Sequence, residues 1–190
     1  MIHISDTGAM TRARLIGGIF GFIFIMVNAG ALPTAAAIAF RVLGFAAFVA
    51  LVVVLRRAGR VAPPATDATT FGRNYRYVVA AEVVVGAAGL IVLNPVLHAR
   101  QATVGWIALV VGLHFFGLAA VWRLPSMRWL AAGMSFCGVV GLALSAYGSS
   151  ASLIALVAGI LPGAMLFGSV LAKRPAWPPL AFRSVERPAG

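Results

Sequence analysis

The chain has 190 residues, 62% of them hydrophobic and only 10% charged, with a net charge of +11. Water-soluble domains carry about 25% charged residues. A chain this short cannot hide so much apolar surface in a core of its own, so the excess must face lipid. The basic balance does not point to nucleic acid, because the basic residues lie just outside apolar runs, where cytoplasmic loops and anionic headgroups favour them.

A membrane-spanning helix needs about 20 mostly apolar residues. Six segments qualify: 15–32, 35–55, 77–97, 104–122, 129–147 and 151–172. The expected fold is all-α, a polytopic integral membrane protein with six transmembrane helices. Before the first segment, Met10 is followed by Thr11, Arg12, Ala13 and Arg14, which reads as a start. Residues 1–9 are then an upstream extension or a short leader, and residues 1–14 a cytoplasmic N-terminal segment. The first segment also reads as a signal peptide ending at Ala29-Gly30-Ala31. The apolar run continues almost unbroken into the second segment, however, as a tight helical hairpin does. Residues 56–76 contain Pro63-Pro64 and read as a flexible cytoplasmic connector. The tail 173–190 carries Pro175, Pro178, Pro179 and Pro188 and reads as disordered cytoplasmic chain, with Trp177 at headgroup level.

The charges set the orientation. Thirteen of the fifteen Lys and Arg residues fall on one side of the six segments. Arg12 and Arg14 precede the first. Arg56, Arg57, Arg60, Arg73 and Arg76 lie between the second and third, and Arg123 and Arg128 between the fourth and fifth. Lys173, Arg174, Arg183 and Arg187 follow the sixth. The other side holds only Arg100, and Arg41 lies inside the second segment. The positive-inside rule places both termini in the cytoplasm, and the expected location is the inner membrane of a bacterium. Arg far exceeds Lys, and Ala and Gly are abundant, as in GC-rich genomes.

Lipid gives helices no hydrophobic reason to associate, so close backbone approach matters more. The fifth segment carries Gly133, Cys137, Gly141 and Ser145 on one face. The sixth carries Ala155, Gly159 and Gly163 at the same spacing, and these two ladders are expected to face each other. A homodimer face is the alternative use of such a ladder. Gly17 and Gly21 form a shorter pair in the first segment. Pro162 should kink the sixth helix and leave a carbonyl near Ala158 in need of a partner.

Chemistry is confined to a few polar residues in apolar surroundings, where an ionisable group costs about 2.5–3.5 kcal/mol on insertion scales. Glu82 shares a face with Gly86 and Gly89. It reads as a proton- or cation-coupling carboxylate, or as the partner of a rim arginine such as Arg57 or Arg76. Arg41 lies nearer the outer surface, at depths close to Asn28 and Asn94. The three are expected to form an outward-facing polar cluster, either a site for an anion or polar solute or a buried Arg satisfied by amides and carbonyls. His114 lies near the midplane. It reads as a proton relay or as a neutral imidazole bonded to a neighbouring helix. His98 and His114 differ in depth and do not bracket a haem, and His114 with Cys137 lacks further metal ligands. No phosphate loop, nucleophile elbow, zinc motif or carboxylate pair is present. The expectation is a non-enzyme with no metal and no cofactor.

Residues 32–57, from Leu32-Pro33-Thr34 through Arg41 to Arg56-Arg57, resemble part of the drug/metabolite transporter superfamily. Members often have a Pro before the second helix, an Arg early in it and basic residues at its end. Residues 128–144, with Gly133, Gly138 and Gly141, are similar to the small-residue helix that closes half of such a transporter. The resemblance covers about a quarter of the chain. It implies solute transport, a role for Arg41, and two copies per working unit. The family's Pro in its fourth helix has no counterpart here, nor does its Glu in the following loop, which here runs from Arg123 to Arg128. The chain equally resembles small multi-span membrane proteins of GC-rich bacteria. The leading expectation is binding or passage of a small polar solute, with Arg41 holding it and Glu82 or His114 exchanging protons. The alternative is a non-catalytic membrane subunit or scaffold that binds another membrane protein, or a second copy, through its glycine ladders. Beyond these, the bilayer itself is the partner, and nucleic acid is not.

Overall fold

The computed structural model describes residues 6–59, 73–121 and 125–171. The expected disordered tail 173–190, most of the connector between the second and third helices, and residues 1–5 lie outside these. Among the described residues every long element is helical: α1 Asp6–Asn28, α2 Thr34–Gly59, α3 Arg73–Ile91, α4 Ala102–Val121, α5 Pro125–Ala146 and α6 Ala151–Leu171. All six are long and apolar enough to cross a membrane.

Several helices run past the apolar segments. Hydrogen bonding within a helix does not stop where lipid begins. Thus α1 starts at Asp6, within the stretch read as an N-terminal segment, and α2 continues through Arg56 and Arg57. Basic side chains there complement the negative C-terminal end of the helix dipole. The expected connector 56–76 is accordingly narrowed from both sides, because α3 begins at Arg73. Helix α5 opens on Pro125, four residues before its apolar run. A missing N–H costs nothing in a first turn.

Three of the connections, α1–α2, α3–α4 and α5–α6, gather at one end of the bundle. A 3₁₀ turn, Ala29–Ala31, joins α1 to Pro33 and α2. Ser152 at the start of α6 donates its hydroxyl to Ala31 O at 2.6 Å, tying that turn to the α5–α6 turn. Residues 98–101 between α3 and α4 lie beside Ser145 near the end of α5. Gly148 takes a left-handed φ of 69°, and Ser150 caps α6 by accepting from Leu153 N–H.

Small residues decide which helices touch. The closest crossing joins α4 and α5. A Cβ on Gly105 would lie 2.7 Å from Leu142 N and 3.0 Å from Gly138 O, and one on Gly112 would meet Ser135. The two predicted ladders do not face each other. On α5, Gly141 meets Ala158 of α6 but also Gly105 of α4, and Gly133 meets Met165. On α6, Gly159 receives Asn28 and Gly163 receives Gly21, Phe24 and Ile25, all from α1. The ladder of α6 therefore serves the α1 crossing. Its period was legible in the sequence, but which neighbour it would meet was not. Helix α6 is the most enclosed of the six and α3 the least. Helix α2 packs mainly on α1, with Leu51 filling the space over Gly18, and α3 packs mainly on α4.

The strain expected at Pro162 is taken up by a π turn, Leu156–Ile160, just before it, where Leu161 N–H donates to Leu156 O. A wider turn makes room for the proline ring and re-routes the carbonyls it would leave unpaired. Pro95 sits within a second π turn, Val92–Val96, that ends α3.

Overpacking a close crossing costs about 1–3 kcal/mol. Gly105→Ala is expected to lower the detergent melting temperature clearly, whereas Gly168→Ala, with nothing within 4 Å of the added carbon, should leave it nearly unchanged. Equal melting temperatures for the two variants would contradict the α4–α5 contact.

Candidate functional site

Glu82, Gly86 and Gly89 recur at helical spacing on one face of α3, and Trp106, Val110 and His114 do so on α4. The two helices run antiparallel, and these faces meet in register. His114 Nδ1 meets Glu82 Oε2 in a hydrogen-bonded acid–base pair. A Cβ on Gly86 would stand 3.6 Å from Val110 Cγ1. Trp106 lies over Gly89, which leaves space for the indole, and Trp106 Nε1–H donates to Gly86 O at 3.1 Å. At the end of α3, Thr103 Oγ1 donates to Asn94 Oδ1 at 3.1 Å, while Asn94 Nδ2 donates to Leu90 O at 3.0 Å. Three polar contacts and one glycine-to-valine contact thus hold α3 on α4.

Beside this seam is a groove of about 430 Å³, floored by α4 and walled by α1 and α3, with Met127 of α5 at its edge. Its lining is otherwise apolar or aromatic: Ile16, Gly17 and Phe20 from α1, Val79, Val83 and Leu90 from α3, and Val111, Phe115 and Leu118 among those from α4. Among the described residues, Glu82 and His114 are the only titratable groups that line it. Their side chains keep 20% and 24% of their surface exposed, so the pair is sheltered but reachable. The edge of the Phe115 ring system stands against the imidazole, with centroids 5.8 Å apart. A carboxylate beside an imidazole can hold one proton between them and exchange it, and each group offsets the cost of the other's charge in low dielectric.

The other expected residues fall elsewhere. Of the rim arginines proposed for Glu82, Arg57 is exposed on α2 and the side chain of Arg76 lies outside the described ones; the described partner of Glu82 is His114. Among the described residues no hydrogen bond joins any two of Asn28, Arg41 and Asn94. Asn28 donates to Phe24 O at 2.8 Å and packs on Gly159. Asn94 is engaged with Thr103. Arg41 reaches back along α2, so that a Cβ on Gly30 would lie 3.2 Å from its Nη2. This is the snorkelling expected of a long side chain two turns inside a helix. Cys137 is a buried free thiol in the α5 packing face. Among the described residues no three His, Cys, Asp or Glu side chains gather as metal ligands.

Pairing of Glu82 with His114 is the feature that sequence reasoning missed. The signal was present in the α3–α4 turn. Once Asn94 faces Thr103, antiparallel helices carry the same register to Glu82 and His114. The expected start of the fourth segment at residue 104 set the two at different depths. With α4 beginning at Ala102 and α3 ending in a π turn, they come level.

A double-mutant cycle on Glu82→Gln and His114→Gln, read from unfolding in detergent, is expected to give a coupling of about 0.5–3 kcal/mol, the range for residues in direct contact. Additive single effects would mean the two side chains do not interact.

No protein-family model, curated protein or solved structure matches this chain, so its function is read from the geometry of its own residues.

Proposed function

We propose that this chain is a multi-pass inner-membrane protein that binds a small solute in the groove between α1, α3 and α4 and couples its binding or passage to a proton. The observation that carries this reading is the Glu82–His114 pair, the only titratable pair among the described residues of an otherwise apolar groove. An ionisable group among apolar helices is expensive unless it has work or a partner. Here the partners are an acid and a base, sheltered but open to a ligand. Arg41 is not among the lining residues and has no part in this site. The likeness of residues 32–57 to the drug/metabolite transporter superfamily accords with solute passage, and with a second copy of the chain as partner.

The scaffold reading loses its main support. Gly133, Gly141, Gly159 and Gly163 are all occupied by neighbours within the chain, so these ladders offer no free face to another protein.

Orientation follows from charge. The α1–α2, α3–α4 and α5–α6 connections share one end, where Arg100 and the snorkelling Arg41 are the basic residues, and the other thirteen are assigned to the cytoplasmic side. Cysteines introduced at Thr66 and Ser149, with Cys137 replaced by Ser, are expected to react from the cytoplasm and from outside respectively. The reverse pattern would overturn the orientation.

A ligand that binds only the folded form stabilises it by mass action, by about 2.7 kcal/mol at a hundredfold excess over Kd. In a thermal-unfolding screen against a solute panel at two pH values, at least one solute should stabilise the protein in a pH-dependent manner. That shift should vanish in Glu82→Gln and His114→Ala. A shift that survives both substitutions would place the solute elsewhere.

A further inference from the structure

The connection between α3 and α4 brings a second set of polar side chains together, at the far end of α3 from Glu82. His98 takes a left-handed φ of 53° just after the π turn that ends α3. The residues that follow lie against the end of α5. There His98, Arg100, Gln101 and Ser145 line a cavity of about 360 Å³ with Ala99 as its one apolar side chain. Ser145 is half-buried and the three others are exposed, so the cavity opens to the surface. The nearby side-chain hydrogen bond joins Thr103 to Asn94, and among the described residues none engages the side chains of His98, Arg100, Gln101 or Ser145.

Arg100 runs against the charge pattern of the chain. Thirteen of the fifteen Lys and Arg residues fall in the segments at the opposite helix ends. At this end the three connections, residues 29–33, 97–101 and 147–150, contain no Asp or Glu. A cation placed in such a connection draws its anion from the surroundings. The four lining groups suit one kind of anion. Arginine offers a planar fork of N–H donors, glutamine an amide NH2, serine a hydroxyl and histidine a ring N–H. They come from two segments and so meet at the cavity from more than one side. A tetrahedral phosphate has oxygens turned to several sides to accept from them, and paired N–H bonds from arginine match it well.

The depth of the cavity indicates the source of the phosphate. The apolar stretch of α4 starts at Ala102, two residues after Arg100, and that of α5 ends at Ala146, one residue after Ser145. At about 1.5 Å per residue, both lining segments lie within roughly 3 Å of the apolar edge. A bilayer of about 40–45 Å around a hydrocarbon core of about 30 Å has headgroup layers of roughly 5–7 Å, which hold the lipid phosphates. Tyr147, next along the chain from Ala146, is 88% exposed, and tyrosine rings gather at this same interface.

We propose that this cavity binds the phosphate group of a membrane lipid, with Arg100 as its countercharge and His98, Gln101 and Ser145 as hydrogen-bond donors around it. The site is separate from the Glu82–His114 groove and does not rest on the function read from that groove. It fastens the α3–α4 connection and the end of α5 to one lipid headgroup.

The full chain in detergent is titrated with dihexanoyl phosphatidylglycerol, with dihexanoylglycerol, which lacks the phosphate, and with inorganic phosphate, all at one ionic strength. Thermal unfolding reads the binding, because a ligand of the folded form raises its stability. Phosphatidylglycerol is expected to stabilise the protein and dihexanoylglycerol is not. Arg100→Gln, at an exposed position, should raise the half-saturating lipid concentration about tenfold or more, and Ser145→Ala about threefold, as the loss of a charged and of a neutral hydrogen bond respectively would do. Arg41→Gln removes the same charge from the same end of the bundle and should leave the titration unchanged. Equal responses to the two lipids would overturn the phosphate site. So would an equal loss in Arg41→Gln and Arg100→Gln, which would mark general attraction to that end. Inorganic phosphate acting as strongly as the lipid, and lost in Arg100→Gln, would uphold the phosphate site and overturn its assignment to a lipid.

Discussion

The near-contact of the α4 and α5 backbones at Gly105, Gly112, Gly138 and Gly141 is the constraint on which the rest of the fold depends. Lipid tails are as apolar as leucine, so burying leucine against leucine gains little in a membrane. Association instead rewards close van der Waals approach, which only small side chains permit. Once α4 is seated on α5 through Gly105, Leu109 and Gly112, its other faces are assigned. Val104, Ala108 and Val111 turn toward Phe24 of α1 and Ala158 of α6. Trp106, Val110 and His114 turn toward α3. A helix that is apolar all round gains its specificity from where its glycines fall.

The remaining contacts follow a division of labour. The α1–α6 crossing uses backbone proximity, with Gly21 and Gly163 in mutual contact and Asn28 laid across Gly159. The π turn before Pro162 occurs in the most enclosed helix, where surrounding α1, α4 and α5 can hold an irregular backbone in place. Helix α3 is attached differently. Its seam combines an acid–base pair, an indole bond to a backbone carbonyl and an amide–hydroxyl bond, and its remaining surface is exposed. Polar contacts between membrane helices are worth about 0.6–2 kcal/mol each.

The groove thus lies along the one seam that holds the least enclosed of the described helices. Glu82 and His114 join α3 to α4, and the same two groups line the groove. In the proposed reading, a molecule that engaged Glu82 would compete with its contact to His114. Pro95 in the π turn at the far end of α3 marks where the backbone departs from regular geometry.

What the sequence by itself determined was the class of the fold and the placement of its charges. Six apolar stretches specify six long helices because backbone groups in lipid must be satisfied within the helix, and the spacing of thirteen basic residues between those stretches is the basis of the proposed orientation. It also carried the small-residue periods and the isolation of Glu82, Arg41 and His114 among apolar neighbours. Only the tertiary structure decided which faces meet. The ladder of Gly159 and Gly163 went to α1 and not to α5, because all-round apolar helices carry no amphipathic stripe to name their neighbour. The pairing of Glu82 with His114, and the separate hydrogen-bond partners of Asn28 and Asn94, followed from the register of α3 on α4 and of α1 on α6. A shift of two residues at a helix end moves a side chain by half a turn, and spacing along one chain does not specify how far a second helix slides past it.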